Sequence, residues 1–137
     1  MVSDAGTPGI ADPGSQIATA AIAAGIPVFP IPGANAAVSA LIASGLSTEH
    51  FTFHGFLPAK EGQRRTALEG LPHNGETHIF YEAPHRILDA LADIEATFGP
   101  AQQIVLAREL TKLHEEFLRG PVGELRKELA SRAAIRG

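Results

Sequence analysis

Val2-Ser3-Asp4-Ala5-Gly6-Thr7-Pro8-Gly9-Ile10-Ala11-Asp12-Pro13-Gly14 sets the fold class. Glycines at 6, 9 and 14 and prolines at 8 and 13 rule out regular helix or a central strand there. Glycine opens positive φ and lets a ligand lie against bare backbone, and proline fixes φ and removes a donor. The segment that follows, Ser15 to Ala24, has helical composition and meets Gly25. Asp12 is the expected N-cap, with Pro13 just inside the helix start and Gly25 just past its end. A glycine-rich loop entering a helix is either an ordinary βα connection with two tight turns or the ligand loop of an α/β protein. It matches neither G-x-G-x-x-G nor a P-loop.

Outward from this loop the chain alternates. Pro27 to Pro32 reads as a short apolar strand, though its prolines keep it from being central along its whole length. Gly33 turns into a small-residue helix, Ala34 to Ser44, closed by Gly45. Composition changes near Leu46 to His50, which divides the chain into units 1–47 and 48–137. Phe51 to Phe56 alternates with period two and reads as a strand. A polar loop (Leu57 to Gln63), a helix (Arg64 to Leu71) and a turn (Pro72 to Glu76) lead to the strand Thr77 to Glu82. Pro84 to Phe98 is an amphipathic helix with Ile87, Leu88, Leu91, Ile94 and Phe98 on one face. Gln103 to Arg108 and Glu115 to Arg119 read as paired strands, and Pro121 to Ala133 as a helix with Val122, Leu125 and Leu129 inward.

Composition narrows the function classes. The 137 residues contain no cysteine, which removes disulfides, thiolate nucleophiles and Cys-ligated metals. The six histidines include no H-E-x-x-H, so no metal site is expected. No apolar run reaches the ~18 residues of a membrane span, and the expected address is cytoplasmic. Net charge is −4, mildly against a chain wrapped in nucleic acid. Charge is uneven, however: Met1 to Pro58 has no Lys or Arg, and all eleven cations lie from Lys60 onward. Any polyanion contact is therefore expected in the second unit.

Five stretches together resemble one family: Ser3 to Pro8 with Asp12-Pro13-Gly14; Ile31-Pro32-Gly33-Ala34; Gly55 to Lys60; Phe80-Tyr81-Glu82-Ala83-Pro84-His85-Arg86; and Ala107 to Lys112 with Glu115-Glu116. They are similar to the small-subunit ribosomal RNA methyltransferase I branch of the tetrapyrrole methylase superfamily. The resemblance implies an α/β fold with the end of one α/β domain followed by most of a second that has a mixed sheet. It also implies S-adenosyl-L-methionine as donor, a cytidine 2′-hydroxyl of small-subunit ribosomal RNA as acceptor, and a homodimer. The family's N-terminal portion and its final strand are expected to lie outside this chain. A tetrapyrrole acceptor and a catalytically silent ligand-binding fragment are the rival readings.

The site expectations follow residue by residue. Asp4, Ala5, Gly6 and Thr7 offer open backbone, a carboxylate and a hydroxyl to a cationic nucleoside donor. In similar proteins the turn at Ala34, Asn35 and Ala36 faces the methionine or ribose part of the donor, and here Asn35 is either a binding group or an N-cap. Tyr81 would present its ring to the adenine, unless it is a core aromatic. His85, Glu109 and Lys112 are the candidates for orienting and deprotonating the acceptor. Lys60, Arg64, Arg65, Arg86 and Arg108 are the candidate RNA phosphate contacts. Their plainer readings are a solvated helix face and a Glu82–Arg86 cap.

Overall fold

Gly45 and Gly99 end their helices at φ +83° and +86°, the first in the left-handed αL cap and the second extended at positive φ, conformations that glycine takes without a Cβ penalty. In the computed structural model, which describes residues 6–136, the order is α1 (Ser15–Ala23), α2 (Ala36–Ser44), β1 (Phe51–Phe56), α3 (Glu61–Glu69), β2 (Thr77–Tyr81), α4 (Ile87–Phe98), β3 (Gln103–Arg108), β4 (Glu116–Pro121) and α5 (Val122–Ala130). This is the α/β alternation read from the sequence. Parallel and antiparallel pairing are both present, in two separate ladders. β1 and β2 pair in parallel, Phe51 opposite Thr77, with a bulge between Phe53 and Phe56 where Gly55 sits at φ +70°. β3 and β4 pair antiparallel, from Gln103 opposite Pro121 to Arg108 opposite Glu116.

Helix α4 joins the two ladders into one body. Leu57, Leu68 and Ala90 form one core with Phe80, Ile94 and Phe98 against it. Leu91, Val122 and Leu129 form a second core, against which Ile87, Leu88, Ile94, Ile104 and Leu106 pack. Ile94 belongs to both, so the apolar face predicted for α4 serves two sheets. Burying each of Leu68, Leu91 and Val122 stabilises the fold by about 1.5–3 kcal/mol relative to exposure. Helix α2 packs on both β2 and β3 and buries Ala37, Leu41 and Ser44. From β4, Arg119 donates to the carbonyls of Ala43 (2.6 Å) and Ser44 (3.1 Å), placing a cation at the negative end of α2.

The N-terminal expectations need correction. Gly14, at φ 144°, is the N-cap of α1 with no side-chain cap bond, so neither Asp12 nor Pro13 has its expected place. Residues 27–32 are not a strand. Three prolines remove ladder donors there, and Phe29 and Ile31 are more than four-fifths exposed. Helix α1 buries no residue. Helix α3 begins at Glu61 rather than Arg64, and Arg64 lies with Leu68 on its buried side.

Candidate functional site

The two loops singled out near the N-terminus meet. The Thr7 hydroxyl donates to the Ala34 carbonyl at 2.8 Å, and the Asn35 amide nitrogen reaches the same hydroxyl at 3.5 Å. Asn35 Oδ1 accepts from the Val38 backbone N–H at 3.1 Å, so Asn35 is the N-cap of α2 and also a neighbour of Thr7. Gly6 is exposed at φ +74°, and a Cβ built there would meet nothing within 4 Å. The result is an open backbone corner beside a hydroxyl that keeps acceptor capacity. Ala34 and Ala36 are exposed at its edge. Asp4 and Ala5 lie outside the described residues.

A cavity of about 1010 Å³ opens between the ladders, and Ala36, Tyr81, Glu82, Arg108, Glu109 and Lys112 border it. Tyr81 ends β2 edge-on to Phe53 (centroids 4.9 Å apart, 67°) and to Phe56 (5.7 Å, 64°), which fixes its ring by aromatic packing. At the next turn Glu82 and Arg86 form the ion pair of the plainer reading, Nη2 to Oε2 at 3.2 Å. Arg86 Nη2 also donates to the Leu57 carbonyl at 2.6 Å. Its buried Nε has no hydrogen-bond partner among the described residues. His85 is exposed and does not border the cavity, so the three candidate catalytic groups are not brought together.

Glu109 and Lys112 do sit together, on a strained loop. Glu109 (φ 53°) and Thr111 (φ 66°) are both left-handed without being glycine, and the β-branched Thr111 is the costlier of the two. The loop is held by Glu115, whose Oε2 accepts from the Thr111 N–H at 2.6 Å. The Lys112 ammonium donates to Glu109 Oε1 at 2.8 Å. This bond, against a smaller opposing effect of burial, holds the Glu109 carboxyl below its usual range. A carboxylate so stabilised is a weak base. The pair is better suited to orienting a hydroxyl or holding a phosphate oxygen than to removing a proton outright.

Under the loop, Glu116 accepts from Arg132 (2.7 and 2.9 Å) and Arg108 (3.0 Å), and Arg132 also reaches Glu128 at 2.6 Å. The Arg132 bond, outweighing burial and joined by Arg108, holds the Glu116 carboxyl down at about 2. Arg108 also donates to the Arg136 carbonyl at 2.7 Å.

The expected cationic surface is smaller than the sequence suggests. Arg64 is buried, 4% exposed, and donates through Nε to the equally buried Asp93 at 2.6 Å, with further contacts to the Pro58 and Ala59 carbonyls. It therefore cannot be a surface phosphate contact. Burial works to raise the Asp93 pKa, but the bonds from Arg65 and Arg64 outweigh it, and the carboxyl titrates below its usual range. Arg65 is half exposed and paired with Glu61 (2.9 Å) and Asp93 (2.8 Å). Arg86 and Arg108 are committed to Glu82 and Glu116. Lys60 is exposed at the start of α3.

Asp93 and Glu116 were not among the sequence-predicted site residues. Asp93 carried no sequence signal: at about 100° per residue it lies about 100° from Ile94 and about 160° from Leu91, off the apolar stripe. It is buried where it pairs with Arg64 and Arg65 of α3. Among the described residues no group of three metal-ligating side chains could hold an ion, and no helix is long and apolar enough to cross a membrane.

With this geometry in hand, the family model for tetrapyrrole (corrin/porphyrin) methylases matches residues 1–126. The chain belongs to that family. Among similar proteins, a Halalkalibacterium halodurans protein named ribosomal RNA small subunit methyltransferase I is 53% identical over 137 residues, all of this chain and 47% of its own length. Proteins of the same name from Pasteurella multocida (52% over 129 residues, 94% of this chain and 46% of the relative) and Synechocystis sp. (51% over 120 residues, 88% and 43%) are similarly close. The chain thus spans a little under half the length of these relatives. The corner at Gly6–Thr7 and the 109–115 loop of this tetrapyrrole methylase family member fall within the matched residues, as does the lining of the cavity except Leu129, Ile135 and Arg136.

Proposed function

We propose that this chain is part of an S-adenosyl-L-methionine-dependent methyltransferase that methylates a cytidine 2′-hydroxyl in small-subunit ribosomal RNA. The observation that carries the reading is half identity, along essentially the whole chain, with relatives named ribosomal RNA small subunit methyltransferase I. The geometry supports it. The donor supplies an activated methyl on a cationic sulfonium. Its ribose and amino-acid end need neutral donors and acceptors against open backbone, which is the chemistry of Gly6, Thr7 and Asn35. Residues 1–47 belong to the donor-binding unit in this reading, with Asp4, Ala5, Ala34 and Ala36 completing the corner. Tyr81 would flank the adenine.

Lys112, with Glu109 beside it, orients the ribose hydroxyl and steadies charge on its oxygen, and Lys60 and Arg65 meet neighbouring phosphates. The protein acts in the cytoplasm as a homodimer. The test is transfer of labelled methyl from the donor to small-subunit ribosomal RNA by the full-length protein, followed by nucleoside analysis. The label should appear in 2′-O-methylcytidine. Lys112→Met should lower kcat by about 10²-fold or more while donor binding persists. Label on a base, or only on a tetrapyrrole offered in parallel, would reject the acceptor.

A further inference from the structure

Strand β1 carries one residue more than the stretch of β2 beside it. Phe53 pairs with Ile79 and Phe56 with Tyr81, so three steps on β1 match two on β2. Side chains alternate along a strand, and one extra residue moves the next side chain to the opposite face. Without the bulge Phe56 would share the face of His54, whose ring stacks on Phe80 (centroids 4.7 Å apart, 14°) against the core of Leu57, Leu68 and Ala90. The bulge carries it to the face of Phe53 and Tyr81 instead, where its ring meets Tyr81 edge-on at 5.7 Å. Gly55 allows this at φ +70°. A Cβ there would meet nothing within 4 Å, so the backbone conformation, not a lack of space, calls for glycine. Bulges re-aim side chains in this way next to active sites.

The re-aimed ring is left open. Phe56 is 53% exposed, whereas Leu57 beside it is 4% exposed. The backbone that follows is held from below by two arginines. Arg86 donates to the Leu57 carbonyl at 2.6 Å, and Arg64 to the Ala59 carbonyl at 3.2 Å and the Pro58 carbonyl at 3.5 Å. A phenyl ring shown to solvent from a fixed base suits a planar partner. Phe56 and Tyr81 both lie at the C-terminal ends of parallel strands, where open α/β sheets bind ligands. Both border the same cavity as Ala36 of the Thr7–Asn35 corner. At the other end of the 57–60 loop stands Lys60, exposed at the start of α3. A ring for a base and a cation for a phosphate, on one short loop, is the combination that grips single-stranded nucleic acid.

We propose that Phe56 is the platform on which the base of the acceptor nucleotide stacks, and is therefore a specificity-determining residue. The inference rests on the RNA methyltransferase reading above and adds the place of the acceptor base. A base stacked on a phenyl face has left its own helix, so the nucleotide that reacts is bound unpaired.

The test uses the full-length protein, S-adenosyl-L-methionine and small-subunit ribosomal RNA. Losing one base–aromatic stack costs about 5- to 150-fold, so Phe56→Leu should lower kcat/KM for RNA by that factor, chiefly through KM. Phe56→Tyr keeps a ring and should stay within about threefold of the parent, and donor affinity by calorimetry should hold within about twofold in both variants. Because Phe56 is more than half exposed, Tm should move by less than about 3 °C. Phe56→Trp adds a readout that a packing role would not move. Residues 1–137 contain no tryptophan, so an indole at this position is new to the site. Its fluorescence, taken as the difference from the parent protein, should be quenched by RNA and not by the donor alone. An active parent with equal kcat/KM in Phe56→Leu, or an indole that RNA does not quench, would overturn the proposal. So would an indole quenched by the donor alone with donor affinity lost in Phe56→Leu, because the ring would then serve the adenine. A parent protein that methylates no RNA would overturn the RNA reading itself, and this inference with it.

Discussion

Replacing Arg64 tests whether it serves the core rather than a nucleic-acid surface. Its side chain is 5% exposed and that of Asp93 is 3% exposed, with Nε and Oδ2 2.6 Å apart. Removing one member of a buried pair leaves a charge without compensation and costs about 3–5 kcal/mol. In Arg64→Met, Asp93 keeps Arg65 at 2.8 Å, so the loss belongs at the lower end, about 3 kcal/mol. Asp93→Asn leaves Arg64 a buried cation with neutral acceptors only, the amide oxygen and the Pro58 and Ala59 carbonyls, and belongs at the upper end. The double change Arg64→Met with Asp93→Leu removes both charges and should cost well under the sum of the single changes. Against a total stability of about 5–15 kcal/mol these are large effects. With a urea m-value of about 2 kcal/mol/M, Arg64→Met should lower the midpoint by about 1.5 M, followed by circular dichroism. A midpoint shift below about 0.5 M, or a double variant whose loss equals the sum, would refute the buried-pair account.

Four further outcomes follow from individual contacts. The Glu116 carboxyl, held at about 2 against 4.5 when unfolded, contributes stability above pH 4.5 that is lost as pH falls towards 2. The linkage limit is about 3.4 kcal/mol, reduced to roughly 1–2 kcal/mol because Glu116 is nearly one-third exposed, and Glu116→Gln should flatten the acid limb of a stability–pH curve by that amount. Gly123→Ala would set a Cβ 3.1 Å from the Pro100 Cβ and 3.3 Å from its carbonyl oxygen, and should cost about 1–3 kcal/mol by thermal melting. Asn35→Ala removes the cap of α2 and should cost about 1 kcal/mol in urea; an unchanged midpoint would mean the cap bond contributes nothing. Thr111→Gly relieves a left-handed β-branched residue and should leave stability equal or raised by up to about 1 kcal/mol while loosening Lys112, read as faster exchange at residues 109–115.

Local physics made most elements legible in the sequence. The period-two run at Phe51–Phe56, the apolar stripe of α4 and the glycines at 45 and 99 act within a few residues of themselves, so spacing reveals them. The meeting of two candidate groups was half visible: Thr7 and Asn35 were each marked, but their contact joins residues 28 positions apart. Charge was the least legible feature. Arg64, Arg86 and Arg108 look alike in a string of letters. The Glu82–Arg86 pair, four residues apart, is legible from spacing, but the commitment of Arg108 to Glu116 across the β3–β4 pair and of Arg64 to Asp93, 29 positions away, is not. The residues at 27–32 have the apolarity of a strand, but a strand exists only where a neighbour completes its ladder. By itself, then, the sequence determined the alternation of elements, the inward faces and the family, because these depend on periodicity and residue type. The tertiary structure alone decided which cations face solvent, which loops touch and which residues border the cavity, because those depend on distances between segments far apart in sequence.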